Sequence, residues 1–411
     1  MTSPDLTLRT ATADDFDPIA VMLGVVFHHT QDPAVLAVER PLHDPARGLV
    51  TVDGDTIVGN TGSFDREMAV PGGAVPCAHV TAVGVLPTHR RQGILRGMME
   101  RQLRDVAAAG REPIAALWAS ETAIYPRFGY GFAGARVRFS ADLTSTGLPE
   151  PAAAPGRLRA GAPETLRPEL VKVYDDVRAG RPGWSSRDEH WWSYLLADVP
   201  SERDGATERQ AVVHEGADGT VDGYALWRVK NDWNDGGPAA EVRVDEAVAA
   251  DPDAYRAIWR FLFSLDLTRR LTYSFATPDE PLFHLVPEPR RLGATVADGL
   301  WVRLVDVPAA LSARAYSAPL DVVVELTDAI LPANAGRWRL TTSGDKTTCE
   351  PTTDPADLAC DVLELGAAYL GGTSLAALGR AGRVRELRAG ALTAADTAFR
   401  WHQAPGGAEV F

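Results

Sequence analysis

The stretch Val80-Thr81-Ala82-Val83-Gly84-Val85-Leu86-Pro87-Thr88-His89-Arg90-Arg91-Gln92-Gly93-Ile94-Leu95-Arg96 decides how this chain is read. It opens as a short apolar strand and passes through a basic turn. Beyond the turn, Ile94, Leu95, Met98, Met99, Leu103 and Val106 recur at helical spacing as far as Ala109. A strand therefore feeds a helix through a basic, glycine-containing loop. The first N–H groups of a helix have no partner within it, and the helix dipole adds about half a positive charge there, so anions bind at such a mouth. Gly93 lets the backbone approach a phosphate closely, and Arg90, Arg91 and Arg96 surround the turn with fork-shaped donors. The ligand this predicts is a pyrophosphate. Neither Gly-x-x-x-x-Gly-Lys-Ser/Thr nor Gly-x-Gly-x-x-Gly follows the strand, which disfavours a nucleoside triphosphate or a dinucleotide.

With 411 residues the chain exceeds what one hydrophobic core serves, so two or three domains are expected. Its 45% apolar and 23% charged residues are those of an ordinary globular protein. A net charge of −14, from 41 basic and 55 acidic residues, argues against sequence-independent nucleic-acid binding. It suits cationic substrates, although acidity also serves solubility alone. Cys77, Cys349 and Cys360 are odd in number and lack metal-ligand spacing, so neither a disulfide framework nor a metal site is expected. Met1-Thr2-Ser3-Pro4-Asp5 lacks the basic and apolar regions of a signal sequence, and no run has the length of a membrane span. The expected compartment is the cytoplasm.

Working outward, Leu6–Arg9 alternates as a strand, and Thr12-Ala13-Asp14-Asp15-Phe16 reads as an N-cap before a helix through Val21, Met22 and Val25. Gly48–Val52 and Thr56–Gly59 flank the turn Asp53-Gly54-Asp55 as a hairpin. After the central helix, Ile114–Ser120 is a buried-strand candidate, Thr122–Tyr130 a short helical segment ending in a turn, and Arg136–Phe139 a further strand. The Pro- and Ala-rich Leu148–Gly156 reads as a linker. Between Arg157 and Val286 the order returns: a helix at Leu166–Arg178, the aromatic stretch His190–Tyr194, a hairpin of Gln210–His214 with Asp222–Val229, a strand at Glu241–Asp245 and an apolar helix at Ala254–Leu265. This looks like a degenerate repeat that lacks the Arg-x-x-Gly loop. From Pro287 onward, Leu300–Leu304, Leu320–Leu326 and Arg337–Leu340 read as strands, and a helical region runs through Leu358, Leu363, Ala367 and Leu370. Leu375, Leu378, Val384 and Leu387 pattern two short elements, and Thr393–Asp396 reads as the N-cap of a last helix.

Arg90-x-x-Gly93-x-Leu95 resembles the acetyl-CoA pyrophosphate loop of the GNAT acetyltransferase superfamily, with Leu95 standing where a small residue is usual. Taken with Val83-Gly84-Val85, Ala119-Ser120-Glu121, Ile124-Tyr125-x-Arg127-Phe128-Gly129-Tyr130-Gly131 and a terminal phenylalanine, the full length resembles the enhanced intracellular survival (Eis) family of N-acetyltransferases. The resemblance implies an α/β (α+β) chain: tandem GNAT-like mixed-sheet domains followed by a sterol-carrier-protein-like domain. Its boundaries fall at 1–147, 157–286 and 287–411. It implies acetyl-CoA as co-substrate, no metal, and a homohexamer. Val83, Gly84 and Val85 would pair with the pantetheine arm and polarise the thioester carbonyl. Arg91, Gln92, Gly93, Ile94, Leu95 and Arg96 would hold the pyrophosphate, while Ser120 and Glu121 would line the cofactor cleft.

By the same resemblance, Tyr125 would be the general acid and the carboxylate of Phe411 the general base. The chemistry needs both roles, because an ammonium must lose a proton before it attacks and a departing thiolate gains from a donor. A chain-terminal carboxylate, with an ordinary pKa of about 3.3–3.7, is a weak base unless burial raises it, and it can also act through water. Val410 departs from the acidic character expected at the penultimate position, which leaves the substrate range open. His28, His29, Trp118, Trp192 and Glu409 are weaker candidates for acceptor contacts, against packing or surface roles. The expected acceptors are small cationic amines, aminoglycosides foremost, acetylated at several positions. Lysine side chains or polyamines are the alternative acceptors, and a non-catalytic acyl-CoA or lipid-binding protein is the alternative class.

Overall fold

The computed structural model describes residues 6–149, 156–344 and 346–411. Of the stretch read as a linker, 150–155 lie outside the described residues, as do residues 1–5 of the N-terminal reading. The chain divides into two compact units, Met1–Gly134 with Gly299–Pro405 and Val410–Phe411, and Ala135–Asp298 with Gly406–Glu409.

The first unit starts with β1 (Leu6–Thr10) and α1 (Phe16–Phe27). Arg9 and the Thr12 backbone N–H both donate to the Asp15 carboxylate, at 2.7–2.8 Å, so the capping signal forms a 3-10 turn leading into α1. A short α2 (Pro33–Glu39) precedes the antiparallel β2 (Leu49–Asp53), β3 (Thr56–Val70) and β4 (Gly73–Val85). β3 and β4 run far beyond the residues read as strand. Met68, Ala69, Val70, Cys77 and Ala78 are buried in succession, and such runs carry no alternation for a period-based reading to detect. α3 (Ile94–Ala109) buries Ile94, Met98, Met99, Leu103 and Val106, the face its spacing predicts, and β5 (Ile114–Trp118) returns parallel to β4. Met98, Met99 and Leu103 are fully buried and each contributes about 1.5–3 kcal/mol.

β6 (Gly131–Asp142) begins in the first unit and, from Val137, pairs in the second. The second unit then adds β7 (Arg157–Gly161), α4 (Pro163–Arg178), α5 (Glu189–Leu196), β8 (Gln210–Glu215), β9 (Val221–Lys230) and a small hairpin of β10 (Trp233–Asn234) and β11 (Gly237–Pro238). β12 (Ala240–Ala249), α6 (Pro252–Phe263), β13 (Thr268–Ala276) and α7 (Leu282–Leu285) complete it, in a sheet of order β6-β13-β12-β9-β8-β7. The topological repeat read from the sequence is present, with β12 and β13 the parallel pair. Arg187 is fully buried here, donating to Glu246 at 2.5 Å and Glu409 at 2.9 Å, with its guanidinium 3.6 Å over the Tyr174 ring. Burial alone would lower its pKa, but Glu246 and Glu409 outweigh that and keep it cationic.

β14 (Thr295–Leu304) begins in the second unit, and its Leu300–Leu304, which belong to the first unit, pair antiparallel with β5. The remainder of the first unit comprises α8 (Val307–Ser312), β15 (Leu320–Thr327), β16 (Gly336–Ser343), β17 (Lys346–Pro351), β18 (Leu358–Asp361), α9 (Val362–Ala368), α10 (Leu375–Arg380), β19 (Arg385–Glu386) and α11 (Ala391–Phe399). Its sheet runs β17-β16-β15-β18-β19. Two local readings are corrected. Leu358 lies in β18 beside Val324 rather than in a helix, and Asp361 caps α9 after it. Thr393–Asp396 lies inside α11, which starts after Gly390; the Asp396 carboxylate accepts instead from Ser374 Oγ at 2.7 Å and the Ala376 N–H at 3.1 Å, so it serves the start of α10.

Candidate active site

The site begins with a defect in β4. Asn60 pairs with Gly84 and Gly62 with Thr81, so β4 carries one residue more than β3 across the bulge, and Ala82 sits at φ 52. Asn60 Nδ2 donates to the Ala82 carbonyl at 2.8 Å and holds the bulge. On the other edge, β5 pairs with β4 over Cys77–His79 and then diverges, which turns the far edge of Val83–Val85 toward open space. That space is a cleft of ≈ 860 Å³ lined by Val83–Val85, by the mouth of α3, and by Ser120, Glu121, Ile124, Tyr125 and Phe128.

At the mouth, Gly93 takes φ 84 as N-cap and offers no side chain to the first-turn N–H groups. A Cβ there would meet no atom within 4 Å, so the left-handed backbone and not crowding favours glycine. Arg90 and Arg91 line the cleft and have no ion-pair partner among the described residues. Arg96 donates to Glu100 at 2.7 Å, and Arg104 bonds the same carboxylate at 2.8 Å, which holds Glu100 below the usual carboxylate range. The result is a helix start without a side-chain cap and with unneutralised cations beside it, an arrangement that attracts anions.

Across the cleft, Tyr125 begins a 3-10 turn, Tyr125–Phe128, closed by Gly129 at φ 80 and by the Tyr130 N–H donating to the Tyr125 carbonyl at 3.3 Å. Tyr125 is buried and meets the Tyr130 ring edge-on, with centroids 6.2 Å apart. Burial raises its pKa above that of an ordinary tyrosine; the Ser120 hydroxyl opposes the rise and Glu121 adds to it. Tyr125 is thus a protonated donor at neutral pH, placed in the wall of the cleft.

Twelve of the residues singled out for the cofactor or for catalysis line this one cleft: Val83, Gly84, Val85, Arg90, Arg91, Gly93, Ile94, Leu95, Arg96, Ser120, Glu121 and Tyr125. Gln92 is exposed within the loop and is not among the lining residues. Phe411 stands apart from the lining, its ring edge-on to His79 at 4.5 Å; His79 is fully buried on β4, with Nδ1 2.9 Å from the Cys77 carbonyl. Of the weaker acceptor candidates, Trp192 and Glu409 are committed to packing in the second unit, one against Tyr174 and the other to Arg187. Trp118 is half-buried against the core, whereas His28 and His29 are exposed after α1. The cleft also takes in Val26, Phe27, Ala329 and Ile330, which sequence reasoning did not find. Ile124 and Phe128, spaced i, i+4, carried a usable signal; Ala329 and Ile330, two hundred residues away, carried none.

Residues 7–133 and 183–304 each match an acetyltransferase (GNAT) domain model, and residues 307–406 match a sterol carrier protein domain. Fold and site together define a tandem-GNAT acetyltransferase, a class that uses acetyl-CoA in general. An uncharacterized N-acetyltransferase of Streptomyces avermitilis is 48% identical over 364 residues, covering 87% of this chain and 88% of the relative. The N-acetyltransferase Eis of Mycobacterium bovis is 34% identical over 410 residues, 96% of each chain. The crystal structure of Eis1 from Mycobacterium abscessus superposes with a TM-score of 0.83 at 32% identity, covering 98% of this chain and 100% of that one. The chain belongs to the Eis family of N-acetyltransferases.

Proposed function

We propose that this enzyme transfers the acetyl group of acetyl-CoA to primary amines of a polycationic acceptor, aminoglycosides foremost, through the cleft between α3 and Tyr125. The observation that carries the reading is the convergence on one cleft of an uncapped helix mouth, an unpaired strand edge and a buried tyrosine. The N–H groups at Ile94–Arg96, with Arg91, Gln92 and Gly93 of the loop before them, take the pyrophosphate. The edge of Val83–Val85 hydrogen-bonds the pantetheine arm and draws electron density from the thioester carbonyl, while Ser120 and Glu121 border the arm. Acetyl-CoA supplies the activated acyl group, and the chain's own groups move the protons. The Phe411 carboxylate, directly or through water, accepts a proton from the acceptor ammonium, and the freed amine attacks the carbonyl carbon. Tyr125 gives its proton to the departing thiolate. Net, the ammonium loses two protons, one ending on the CoA thiol and one in water.

The charge of −14 supports a polycationic acceptor through long-range attraction. The third domain offers less support to a lipid-carrying reading. Its interior holds the buried Arg314, whose guanidinium donates to the carbonyls of Tyr369 at 2.5 Å and Phe399 at 2.7 Å. Assembly as a homohexamer accompanies the reading by family likeness, and sedimentation velocity checks it.

The deciding experiment incubates the enzyme and acetyl-CoA with a panel of aminoglycosides, lysine peptides and polyamines, and follows CoA release and product mass. Multiply acetylated aminoglycoside is the expected product; turnover confined to lysine peptides or polyamines replaces the acceptor, and cofactor binding without release removes the catalytic reading. Deletion of Phe411 is expected to slow transfer by about 10²-fold or more in a folded sample. An unchanged rate would remove the terminal carboxylate from the mechanism.

A further inference from the structure

The wall of the cleft that contains Ala329 and Ile330 comes from the segment after β15, in the sterol-carrier-like part of the chain. What holds it there is a fully buried ion pair. Arg303, on β14, donates through Nη2 to both Asp328 oxygens at 2.7 Å, with the two side chains 0% and 2% exposed. Asp328 uses its remaining capacity on the wall itself: Oδ1 accepts from the backbone N–H groups of Ile330 and Leu331, each at 3.0 Å. Oδ2 accepts from Asn334 Nδ2 at 3.0 Å, and Asn334 in turn bonds the Val305 carbonyl and the Val307 N–H, both at 3.1 Å.

The other face of the same guanidinium lies beneath the catalytic turn. A Cβ on Gly129 would stand 2.8 Å from Arg303 Nε and 2.9 Å from its Cζ, so glycine alone permits the approach. Gly129 closes the turn that begins at Tyr125, and Tyr125, Phe128, Ile330 and Leu331 belong to one buried cluster. One cation therefore touches both the turn that carries Tyr125 and the aspartate that fixes Ile330. A buried ion pair contributes little net stability compared with an apolar pair of the same volume. Its geometry, with one nitrogen held between both carboxylate oxygens and the flat guanidinium under Gly129, serves placement instead.

We propose that Arg303 and Asp328 are positioning residues of the acetyl-CoA cleft, setting Tyr125 and the Ile330 wall against each other. This rests on the proposed reading of Tyr125. The test is the double variant Arg303→Met/Asp328→Leu, which strands no buried charge. Acetyl-CoA affinity is read by calorimetry and kcat is normalised to the folded fraction by circular dichroism. The expected result is about tenfold weaker affinity and about tenfold lower kcat. The alkaline limb of the pH–rate profile should also move to lower pH, because a loosened turn admits water to Tyr125 and relieves the burial that raises its pKa. Affinity, kcat and alkaline limb all unchanged within twofold in folded protein would overturn the proposal. Should the double variant not fold, Ile330→Ala leaves the ion pair intact and is expected to weaken acetyl-CoA about fivefold; unaltered affinity there overturns it equally. Tyr125→Phe separates the two readings. Parental turnover in that variant removes the general acid while the affinity losses still report the clamp, and slow turnover beside unaffected Arg303/Asp328 and Ile330 variants removes the clamp alone.

Discussion

Helices α3 and α6 occupy the same place in two copies of one topology, and their first turns differ in a way that separates a helix mouth open to an anion from a closed one. Both follow a strand that bulges, β4 at Ala82 and β12 between Val244 and Glu246, and that pairs in parallel with the next strand over its first half. The strand geometry is shared; the helix mouth is not. At α3 the N-cap is Gly93, and Arg90 and Arg91 beside it have no ion-pair partner among the described residues. At α6 the N-cap is Asp251, whose Oδ1 accepts from the N–H groups of Asp253 at 2.7 Å and Ala254 at 3.0 Å. Pro252 removes one more donor, and the basic Arg256 is paired with Asp253. The second copy carries its own anion where the first awaits one. Around the α6 mouth the space is ≈ 270 Å³ against ≈ 860 Å³, and the tyrosine that lines it, Tyr255, already donates its hydroxyl to Glu280.

The largest effect expected from this contrast is on chemistry. If the first copy alone catalyses as proposed, Tyr125→Phe should lower kcat by about 10²–10³-fold while acetyl-CoA affinity stays within twofold, because the proposed role of the hydroxyl is at the leaving thiolate and not at the pyrophosphate. The pH dependence follows from the direction of the shift. In the proposed mechanism the active form of Tyr125 is protonated, and burial raises its pKa above the ordinary value near 10, so the parent is expected to keep its rate through pH 9 and lose it as pH rises past that raised value. The variant should lack this limb. Stopped assays of CoA release across pH 7–11 check both statements, and parental kcat in Tyr125→Phe would break the contrast.

The second effect is on binding. Gly93→Asp places at α3 the carboxylate that α6 already has, and acetyl-CoA affinity should fall by about 10²-fold through occupied N–H groups and repulsion of the pyrophosphate. Gly93→Asn is the control, since asparagine tolerates the left-handed backbone and has the same shape without the charge. It should cost several-fold only. Calorimetric titration of both variants at two salt concentrations decides; equal losses would mean that backbone strain and not the anion accounts for the difference between the copies.

These same features explain what could be read without coordinates. The α3 face, the basic loop and the Tyr125 segment lie within fifty residues, each governed by local rules: helical spacing, helix-start chemistry and a turn closed by glycine. That is why twelve of the residues singled out meet in one cleft. The length of β3 and β4 was hidden because a strand buried on both faces loses its alternation, as Met68–Val70 shows. Asp396 looked like a cap because sequence shows a carboxylate but not which helix start it serves. Leu300–Leu304 read correctly as a strand, yet nothing in those residues names β5 as its partner. The Ile330 wall and the Arg303–Asp328 pair depend on that long-range pairing and were illegible for the same reason.

The smallest expected effect lies in the second copy. Asp251→Ala removes the cap of α6 and should destabilise the protein by about 1 kcal/mol, read as a lowered thermal midpoint. Turnover and acetyl-CoA affinity should stay within twofold, since Asp251 belongs to neither. Stoichiometry is the informative readout. With the carboxylate gone the first-turn donors of α6 are freed, but Pro252 still supplies no N–H and Arg256 remains with Asp253 in a smaller space. One acetyl-CoA per chain is therefore expected before and after the substitution. A second equivalent appearing in Asp251→Ala would show that a single carboxylate closes the repeat, and the two copies would then differ by one side chain where several are argued here.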